Sequence, residues 1–406
     1  MSAEIMIPPL AVGKDLKTPL PTFSNCELVL AEFGERLRFE EFAGVIVCNG
    51  LDVLGPHFPD GEWTDEHTSR LVGVLDREGL HVSFAMLDRA VSAHARARSY
   101  NVLTDLLTDW ALQWDGVERV DQFLATYWRA ADTDATRACS RVFLLSLAAR
   151  GLTPGAKVDT CPVFVGKQGT RKSTALELLV GEAFFSDSPL PIGDKDGMQN
   201  LAGTWLQEFS ENESLSRKER NAVKGFLSSR RDKFRASYGH HTRKVPRQTC
   251  FAASTNDADT LNDPTGARRF MPVTVGVIDV ASIARDREQL LGEAAYRVIH
   301  GEQHWPTPAE DAALDSVRKN HQESDVWEEH IAEWLDKQEE GFTFLLADLL
   351  VQALGLDLKH ADKSSQGRAA NALRRLGWER GPQNREDEGT RQRRWRKAVT
   401  AVTSST

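Results

Sequence analysis

The 406-residue chain contains few cysteines and no long apolar run. Its five cysteines are scattered, with no Cys-x-x-Cys pair and no histidine pair at zinc-ligand spacing. We therefore expect free thiols in a reducing compartment and no zinc site. No stretch approaches the roughly 18 consecutive apolar residues of a membrane span. The N-terminal residues lack the basic region followed by an apolar core that marks a signal peptide. These absences predict a cytoplasmic location without membrane contact.

The overall charge argues against a protein whose whole surface binds nucleic acid, because the formal net charge is −9. Positive charge is nevertheless concentrated in two segments. Arg217–Arg247 contains eleven Lys/Arg against two acids, and Asp357–Lys397 contains twelve against six. Such local basic surfaces are compatible with nucleic acid held at particular sites. The alternative is that both segments are solvated helix faces.

The chain divides into four regions, and no internal repeat is present. We expect an extended or flexible arm over residues 1–20 and a mainly helical domain over 21–150. In residues 151–335 apolar strands alternate with helices, which predicts an α/β domain with a parallel sheet flanked by helices. Residues 336–406 combine two short helices with an Arg-rich end. This pattern predicts a small winged-helix-like domain.

The α/β prediction rests on specific segments. Expected strands are Pro162–Val165, Thr204–Phe209, Thr249–Ala253 and Phe270–Val275. Expected helices include Cys26–Arg36, Asp65–Glu78, Ser83–Ala97, Val102–Trp110, Ser173–Val180 and Lys218–Ser228. Each helix has apolar residues three and four positions apart.

A phosphate-binding P-loop is predicted where the first of these strands meets its helix. The backbone N–H groups of the loop and of the helix N-terminus would cradle phosphates. Lys172 would reach the β- and γ-phosphate oxygens, and the Ser173 hydroxyl would bind Mg²⁺. The residues of this predicted site are Gly166, Lys167, Gln168, Gly169, Thr170, Arg171, Lys172, Ser173 and Thr174.

Arg171 departs from the strict G-x-x-x-x-G-K-[ST] pattern, which has glycine at that position. Glycine normally permits the close approach of the backbone to the phosphates. The Arg171 side chain would either crowd the phosphates or point outward and add a positive charge.

Residues suited to nucleotide hydrolysis follow the loop in order. Glu208 and Glu211 lie at the end of a short apolar strand, where they can face a metal ion and polarise water. Asn256 ends another strand and can orient water or contact the γ-phosphate. Arg268 and Arg269 precede the last strand and suit the role of an arginine finger. Without the P-loop beside them, Glu208 and Glu211 would be interpreted as solvated acids and Asn256 as a turn residue. Arg268 and Arg269 would be interpreted as a surface salt-bridge pair.

In the order of their motifs and in the residues that form them, residues 154–273 resemble the ATPase domain of the virulence-associated protein E family. These are P-loop proteins of phages, phage satellites and mobile islands, akin to superfamily 3 helicases. Further similarity extends the resemblance to roughly residues 28–335. Matching segments are Pro154–Lys157, Val165–Gly169, Lys172–Thr174, Gly203–Glu208, Lys224–Ser228, Asp232–Arg235 and Thr265–Phe270.

The resemblance implies an ATP-driven motor for replication of a mobile element, assembled as a homo-oligomeric, hexameric ring. Glu208 and Glu211 would be the Walker B carboxylates, with Glu208 and Ser173 at Mg²⁺. Asn256 would be sensor 1, and Arg268 or Arg269 would act on the site of the neighbouring subunit. Many relatives carry an N-terminal primase domain. The residues before the loop show no paired-carboxylate motif of that kind, so we do not expect priming activity.

Two segments are candidates for DNA binding. Related helicases place a hairpin between the acidic strand and the sensor strand, where it grips single-stranded DNA in a central channel. The residues there that suit phosphate contacts are His241, Arg243 and Lys244. In the C-terminal module, Arg391, Arg393 and Arg394 would contact duplex DNA as a wing. The alternatives are an exposed basic loop and a disordered basic tail.

The leading hypothesis is thus a helicase-type ATPase that requires ATP and Mg²⁺ and moves along or remodels DNA. A second hypothesis is a DNA-binding initiator or regulator whose nucleotide site is a switch with little turnover, which Arg171 keeps open. A small-molecule kinase is a third, weaker hypothesis, because the sequence shows no signature of a substrate pocket.

Overall fold

The computed structural model describes residues 10–14, 17–51, 60–192, 195–210, 225–234, 243–256, 267–320, 326–339, 341–356, 363–381, 384–385, 391–392 and 394–397. The chain forms two compact units, residues 1–321 and 322–406.

The N-terminal part of the first unit contains four helices close to the predicted ones. They are α1 (Phe23–Ala31), α2 (Asp65–Arg77), α3 (Phe84–Arg96) and α4 (Val102–Leu112). An antiparallel sheet was not expected here. Its strands are β1 (Leu37–Glu40), β2 (Val45–Cys48) and β3 (Gly61–Glu62). The sequence analysis missed these strands because each is only two to four residues long and lies among strong helical patterns.

The described part of the predicted arm, residues 10–14 and 17–20, is attached to α1 by Asn25. This buried side chain accepts from the Ala11 N–H at 2.9 Å and donates to the carbonyls of Ala11 and Leu20 at 2.9 and 2.8 Å. Val12 and Pro19 also form an antiparallel bridge. These contacts hold the described part of the segment against α1.

Two further helices, α5 (Phe123–Tyr127) and α6 (Asp134–Leu152), lead into the central sheet. Thr133 caps α6 by accepting from the Thr136 N–H at 3.2 Å. Nearly every residue of α6 is buried, which is typical of a helix that is covered on all sides.

The core of the first unit is a five-stranded, wholly parallel sheet. Its spatial order is β10-β4-β9-β6-β5. A separate antiparallel ribbon, β7–β8, lies between β6 and β9 in the chain. The strands are β4 (Cys161–Val165), β5 (Phe185–Ser186), β6 (Leu206–Phe209), β7 (Arg231–Phe234), β8 (Arg243–Pro246), β9 (Cys250–Thr255) and β10 (Phe270–Thr274).

Helices cover this sheet, as its sequence requires. All residues of β4 and β6 are buried, because parallel strands covered on both faces read as continuous apolar runs. Trp128, after α5, stacks on Phe164 of β4 with ring centroids 4.2 Å apart. The remaining helices of this unit are α7 (Lys172–Val180), α8 (Lys195–Gln199), α9 (Val280–Ile299) and α10 (Pro308–Asn320). The expected α/β core, a parallel sheet flanked by helices, is confirmed.

The second unit has its own small core, in which Phe344, Leu349 and Trp395 are buried. Strand β11 pairs antiparallel with β14, and β12 with β13. Its elements are α11 (Val326–Leu335), α12 (Leu346–Gln352), α13 (Lys363–Arg375), β11 (Trp378–Arg380), β12 (Asn384–Arg385), β13 (Arg391–Gln392) and β14 (Trp395–Lys397). Ile331 of α11 joins this core, so α11 packs with the C-terminal elements. The sequence analysis had placed it at the end of the central domain.

Among the described residues, no helix is both long and apolar enough to cross a membrane.

Candidate functional site

The carboxyl ends of β4, β6 and β9 bring three predicted site segments to one edge of the sheet. Gly166 follows β4, Glu208 lies near the end of β6, and Asn256 follows β9. In open parallel sheets ligands bind in the crevice outside the carboxyl ends, where the chain changes direction across the sheet. Here the chain leaves β4 toward β5 on one side and returns to β10 on the other.

The loop after β4 depends on glycine at two positions. A Cβ atom on Gly166 would lie 2.9 Å from Val275 Cγ2 and 3.1 Å from the Val275 carbonyl oxygen. Gly169 has φ of +84°, in the region that favours glycine. Around them, Gln168 is exposed, the Thr170 hydroxyl donates to the Lys167 carbonyl at 3.0 Å, and Thr174 lies in the first turn of α7.

Arg171 occupies a left-handed conformation, with φ 68° and ψ 36°, at the N-cap of α7. A non-glycine residue in this region carries a penalty of about 1–2 kcal/mol. The loop therefore has, at this position, the backbone that a glycine would adopt without strain. The Arg171 side chain is exposed. The departure from the glycine pattern therefore strains the backbone and leaves the side chain in solvent.

Lys172 connects the loop to the end of β9. Its Nζ donates to the carbonyls of Gly166 at 2.6 Å and Lys167 at 3.3 Å, and to Asn256 Oδ1 at 3.1 Å. The side chain is 9% exposed. Two residues that the sequence analysis assigned to phosphate, 84 positions apart, are thus in direct contact.

Ser173 makes the corresponding contact with β6. Its hydroxyl donates to Glu208 Oε1 at 3.0 Å. Glu208 is 1% exposed, and burial raises the pKa of its carboxyl. The neighbouring hydroxyls of Ser254 and Ser173 and the charge of Lys172 act in the opposite direction. Within the described part of the chain, the buried Glu208 Oε2 has no hydrogen-bond partner.

These residues fit a nucleotide with Mg²⁺. The loop offers a glycine cradle and the N-terminus of a nine-residue helix to phosphate. Ser173 and Glu208 offer hard oxygen ligands, and a buried carboxylate oxygen without a donor is suited to a cation. No group of three or more His, Cys, Asp or Glu side chains at metal-binding spacing occurs among the described residues. Mg²⁺ at nucleotide sites typically needs only one or two protein ligands besides phosphate and water.

The predicted arginines lie at the opposite edge of the sheet. Arg268 and Arg269 end the 3-10 turn Ala267–Arg269, and Phe270 of β10 pairs with Cys161 at the start of β4. Five residues of parallel strand, roughly 16 Å, therefore separate this turn from the loop after β4. The turn is not beside the Lys172 site of its own chain. Arg268 is exposed, whereas the half-buried Arg269 donates to Ser228 Oγ at 3.0 Å.

The β7–β8 ribbon carries the predicted cation Lys244 and two cations that the sequence analysis did not select, Arg231 and Lys233. Lys233 and Lys244 are direct cross-strand partners, and both are exposed. Exposed Arg231 lies on the same face, two residues before Lys233. Like charges directly opposite each other are destabilising, so this face is suited to an anionic partner. The alternation Arg-Asp-Lys-Phe in β7 was the available signal.

Two buried arginines, Arg247 and Arg150, anchor the base of the ribbon. Asp232 points to the buried face and forms an ion pair with buried Arg247, which also donates to the Phe226 carbonyl. Buried Arg150 donates to the carbonyls of Thr249, Val158 and Ser229, the last two at 2.9 and 3.1 Å. Burial lowers the pKa of Arg150 to about 10, so it stays charged at neutral pH.

The remaining predicted site residues are placed as follows. Glu211, His241 and Arg393 lie outside the described residues. Arg243 is on β8 and Arg391 on β13. Exposed Arg394 donates to the Thr343 carbonyl at 3.5 Å within the second unit.

Comparison with known proteins identifies the family. The model of the virulence-associated protein E-like domain matches residues 107–323, more than half of the chain. The protein belongs to this family. No curated protein sequence matches the chain.

Several solved structures are distantly similar. An A-form apo structure of the C-terminal region of NrS-1 (305–718) is 12% identical, with a TM-score of 0.46, and the match covers 92% of this chain and 98% of that one. A second A-form apo structure of that region has 12% identity and a TM-score of 0.44, with coverage of 90% and 96%. A further apo structure of the C-terminal region of NrS-1 (305–718) is 11% identical, with a TM-score of 0.41, and the match covers 88% of this chain and 95% of that one.

Proposed function

We propose that this protein is an ATPase of the helicase or translocase type that acts on DNA during replication of a phage or mobile element. One observation carries the proposal. Residues predicted independently for phosphate, metal and water meet in the pairs Lys172–Asn256 and Ser173–Glu208. A structural ion-pair network would not require the glycine cradle beside them.

On this proposal each side chain has a definite task. The Lys172 ammonium exchanges its carbonyl partners for β- and γ-phosphate oxygens, and Asn256 then becomes available to orient the attacking water. Ser173 and Glu208 would hold Mg²⁺, which would offset the negative charge that develops on the phosphates. Glu211 is proposed as the second Walker B carboxylate.

The position of the arginine turn supports a shared site. Arg268 is exposed and roughly 16 Å along the sheet from its own loop. We assign Arg268 as the cation that a neighbouring copy of this chain supplies in a ring, proposed to be hexameric. Removal of such a cation lowers turnover by orders of magnitude.

DNA binding is assigned to the basic ribbon and to the second unit. On the ribbon, Arg231, Lys233 and Lys244 form an exposed cationic face that suits a phosphate backbone. In the second unit, three helices precede an antiparallel strand pair, an order that supports a winged-helix-like module. Arg391, Arg393 and Arg394 would then contact duplex DNA.

The test is ATP hydrolysis with and without single-stranded DNA by wild type, Lys172→Ala, Arg268→Ala and a mixture of the two variants. We expect DNA-stimulated turnover in wild type and a loss of at least about 100-fold in each variant. Part of the turnover should return in the mixture, because an intact loop then meets an intact arginine. Tight nucleotide binding without turnover in wild type would instead establish the second hypothesis, a nucleotide-switched initiator or regulator.

A further inference from the structure

The hydrogen bond between Arg269 and Ser228 joins two functional segments that the chain separates. Arg269 Nε donates to Ser228 Oγ at 3.0 Å, across 41 positions. Arg269 ends the turn that presents Arg268, and Ser228 lies three residues before β7, where the ribbon begins. Both segments lie at the amino edge of the sheet, opposite the phosphate-binding loop.

The arginine turn is fixed from behind by Arg318 of α10. This side chain is 4% exposed and donates to the Phe270 and Arg268 carbonyls, both at 2.9 Å. It is itself paired with Asp311 at 3.4 Å and Asp315 at 2.5 Å. One side chain therefore holds the carbonyls on both sides of Arg269, so Arg268 and Arg269 belong to one anchored turn.

The ribbon is fixed in a comparable way at its base. Arg247 binds Asp232 of β7 and stacks over the Phe226 ring, with the guanidinium carbon 4.2 Å from the centroid. Arg150 holds the Ser229 carbonyl, next to Ser228. The segment that carries Ser228 therefore moves together with the ribbon.

The Arg269–Ser228 contact between these two pieces is a charge-to-hydroxyl hydrogen bond. Hydrogen bonds to a charged group contribute only about 1.5–3 kcal/mol, and Arg269, which is only half-buried, stays accessible to solvent when the bond breaks. A link of this strength can form and break within one catalytic cycle.

Building on the function proposed above, we propose that Arg269 is a positioning residue that couples the arginine turn to the basic ribbon through Ser228. Contact of Arg268 with the nucleotide of a second copy of this chain displaces the turn, and the Arg269–Ser228 bond passes the displacement to the cationic face of the ribbon. The state of one site thereby controls the DNA grip of the adjacent subunit.

The experiment uses the full chain with Ser228→Ala, which removes the acceptor hydroxyl, and Ser228→Thr, which keeps one. The matched control is Ser229→Ala, because the Ser229 hydroxyl donates to the Arg231 carbonyl. ATP hydrolysis is measured with and without single-stranded DNA. DNA affinity is measured with and without a non-hydrolysable ATP analogue.

Ser228→Ala should keep DNA-free turnover within about twofold of wild type. The ratio of turnover with DNA to turnover without DNA should fall to nearly one. Its DNA affinity should no longer respond to the ATP analogue. Ser228→Thr and Ser229→Ala should behave like wild type. The double variant Ser228→Ala/Arg269→Ala should be no worse than Arg269→Ala, because both remove the same bond.

The inference is overturned if Ser228→Ala keeps wild-type stimulation. It is also overturned if DNA-free and DNA-stimulated turnover fall by the same factor, because that result shows a structural role only. Failure of the proposed function looks different, since wild type itself would then hydrolyse no ATP.

Discussion

Ser173, in the first turn of α7, donates a 3.0 Å hydrogen bond to Glu208, so the helix that follows β4 contacts β6, a strand that is not a neighbour of β4 in the sheet. Ser173 follows the loop after β4, Glu208 lies on β6, and β9 with its terminal Asn256 runs between them. Lys172 contacts Asn256 from the same helical turn as Ser173. Three adjacent strand ends therefore converge on one helix N-terminus, where phosphate binding is favoured.

Replacing Glu208 with glutamine should separate stability from activity. Burial raises the pKa of Glu208, so the ionised carboxylate lowers the stability of the folded protein at neutral pH. Glu208→Gln should therefore raise the nucleotide-free melting temperature at pH 8. The gain should shrink as the pH falls and vanish below the ordinary carboxyl pKa, where the carboxyl is protonated in both states. Turnover should fall by about 100-fold or more, because Gln is a poor metal ligand.

The control for this change is Glu182→Gln, at an exposed carboxylate just after α7. It should alter neither the melting temperature nor its pH dependence. A pH-independent gain for Glu208→Gln would contradict the assignment of the raised pKa to desolvation.

Replacing Lys172 with alanine should weaken nucleotide binding without unfolding the protein. The ammonium bonds to both the loop carbonyls and Asn256. We expect at least tenfold weaker binding of a fluorescent ATP analogue, measured by titration. Lys157→Ala removes an exposed lysine before β4 and should leave binding unchanged. Equal affinities for wild type and Lys172→Ala would rule out the loop as the phosphate site.

Replacing Arg171 with glycine tests whether strain is stored in the loop. Glycine adopts φ of 68° without the penalty of about 1–2 kcal/mol, although its greater freedom in the unfolded chain reduces the gain. Arg171→Gly should thus stabilise the unit by roughly 0.5–1 kcal/mol in denaturant unfolding. Arg171→Ala removes the same side chain but keeps the strained backbone, so it should give no such gain. Equal stabilisation by both variants would locate the penalty in the arginine side chain.

Reversing the charge of Lys233 should weaken DNA binding and slightly stabilise the folded protein. Lys233→Glu places an acid directly opposite Lys244, where a cross-strand ion pair contributes about 0.2–1 kcal/mol. The melting temperature should rise slightly, while affinity for single-stranded DNA falls and its salt dependence becomes weaker. Lys157→Glu makes the same charge change elsewhere. An equal loss of affinity in Lys157→Glu would show that the change in net charge, and not the position of Lys233 on the ribbon, explains the weaker binding.

The sequence alone predicted the chemistry that we propose for the site, and it determined most of the α/β core. Continuous apolar runs such as Cys161–Val165 specify buried parallel strands, and the residues after them predict ligands for phosphate, metal and water. These features depend on residues adjacent in the chain, so local patterns reveal them. The short strands β1–β3 escaped detection because their pairing is not local.

Only the tertiary structure decided how the segments meet. The insertion of β9 between β4 and β6 set the Lys172–Asn256 and Ser173–Glu208 contacts, and the parallel register placed Arg268 at the edge opposite Lys172. It also set Lys233 against Lys244 and bonded Arg269 to Ser228. Strand order and register depend on packing between residues distant in the chain, which the local pattern of one sequence does not encode.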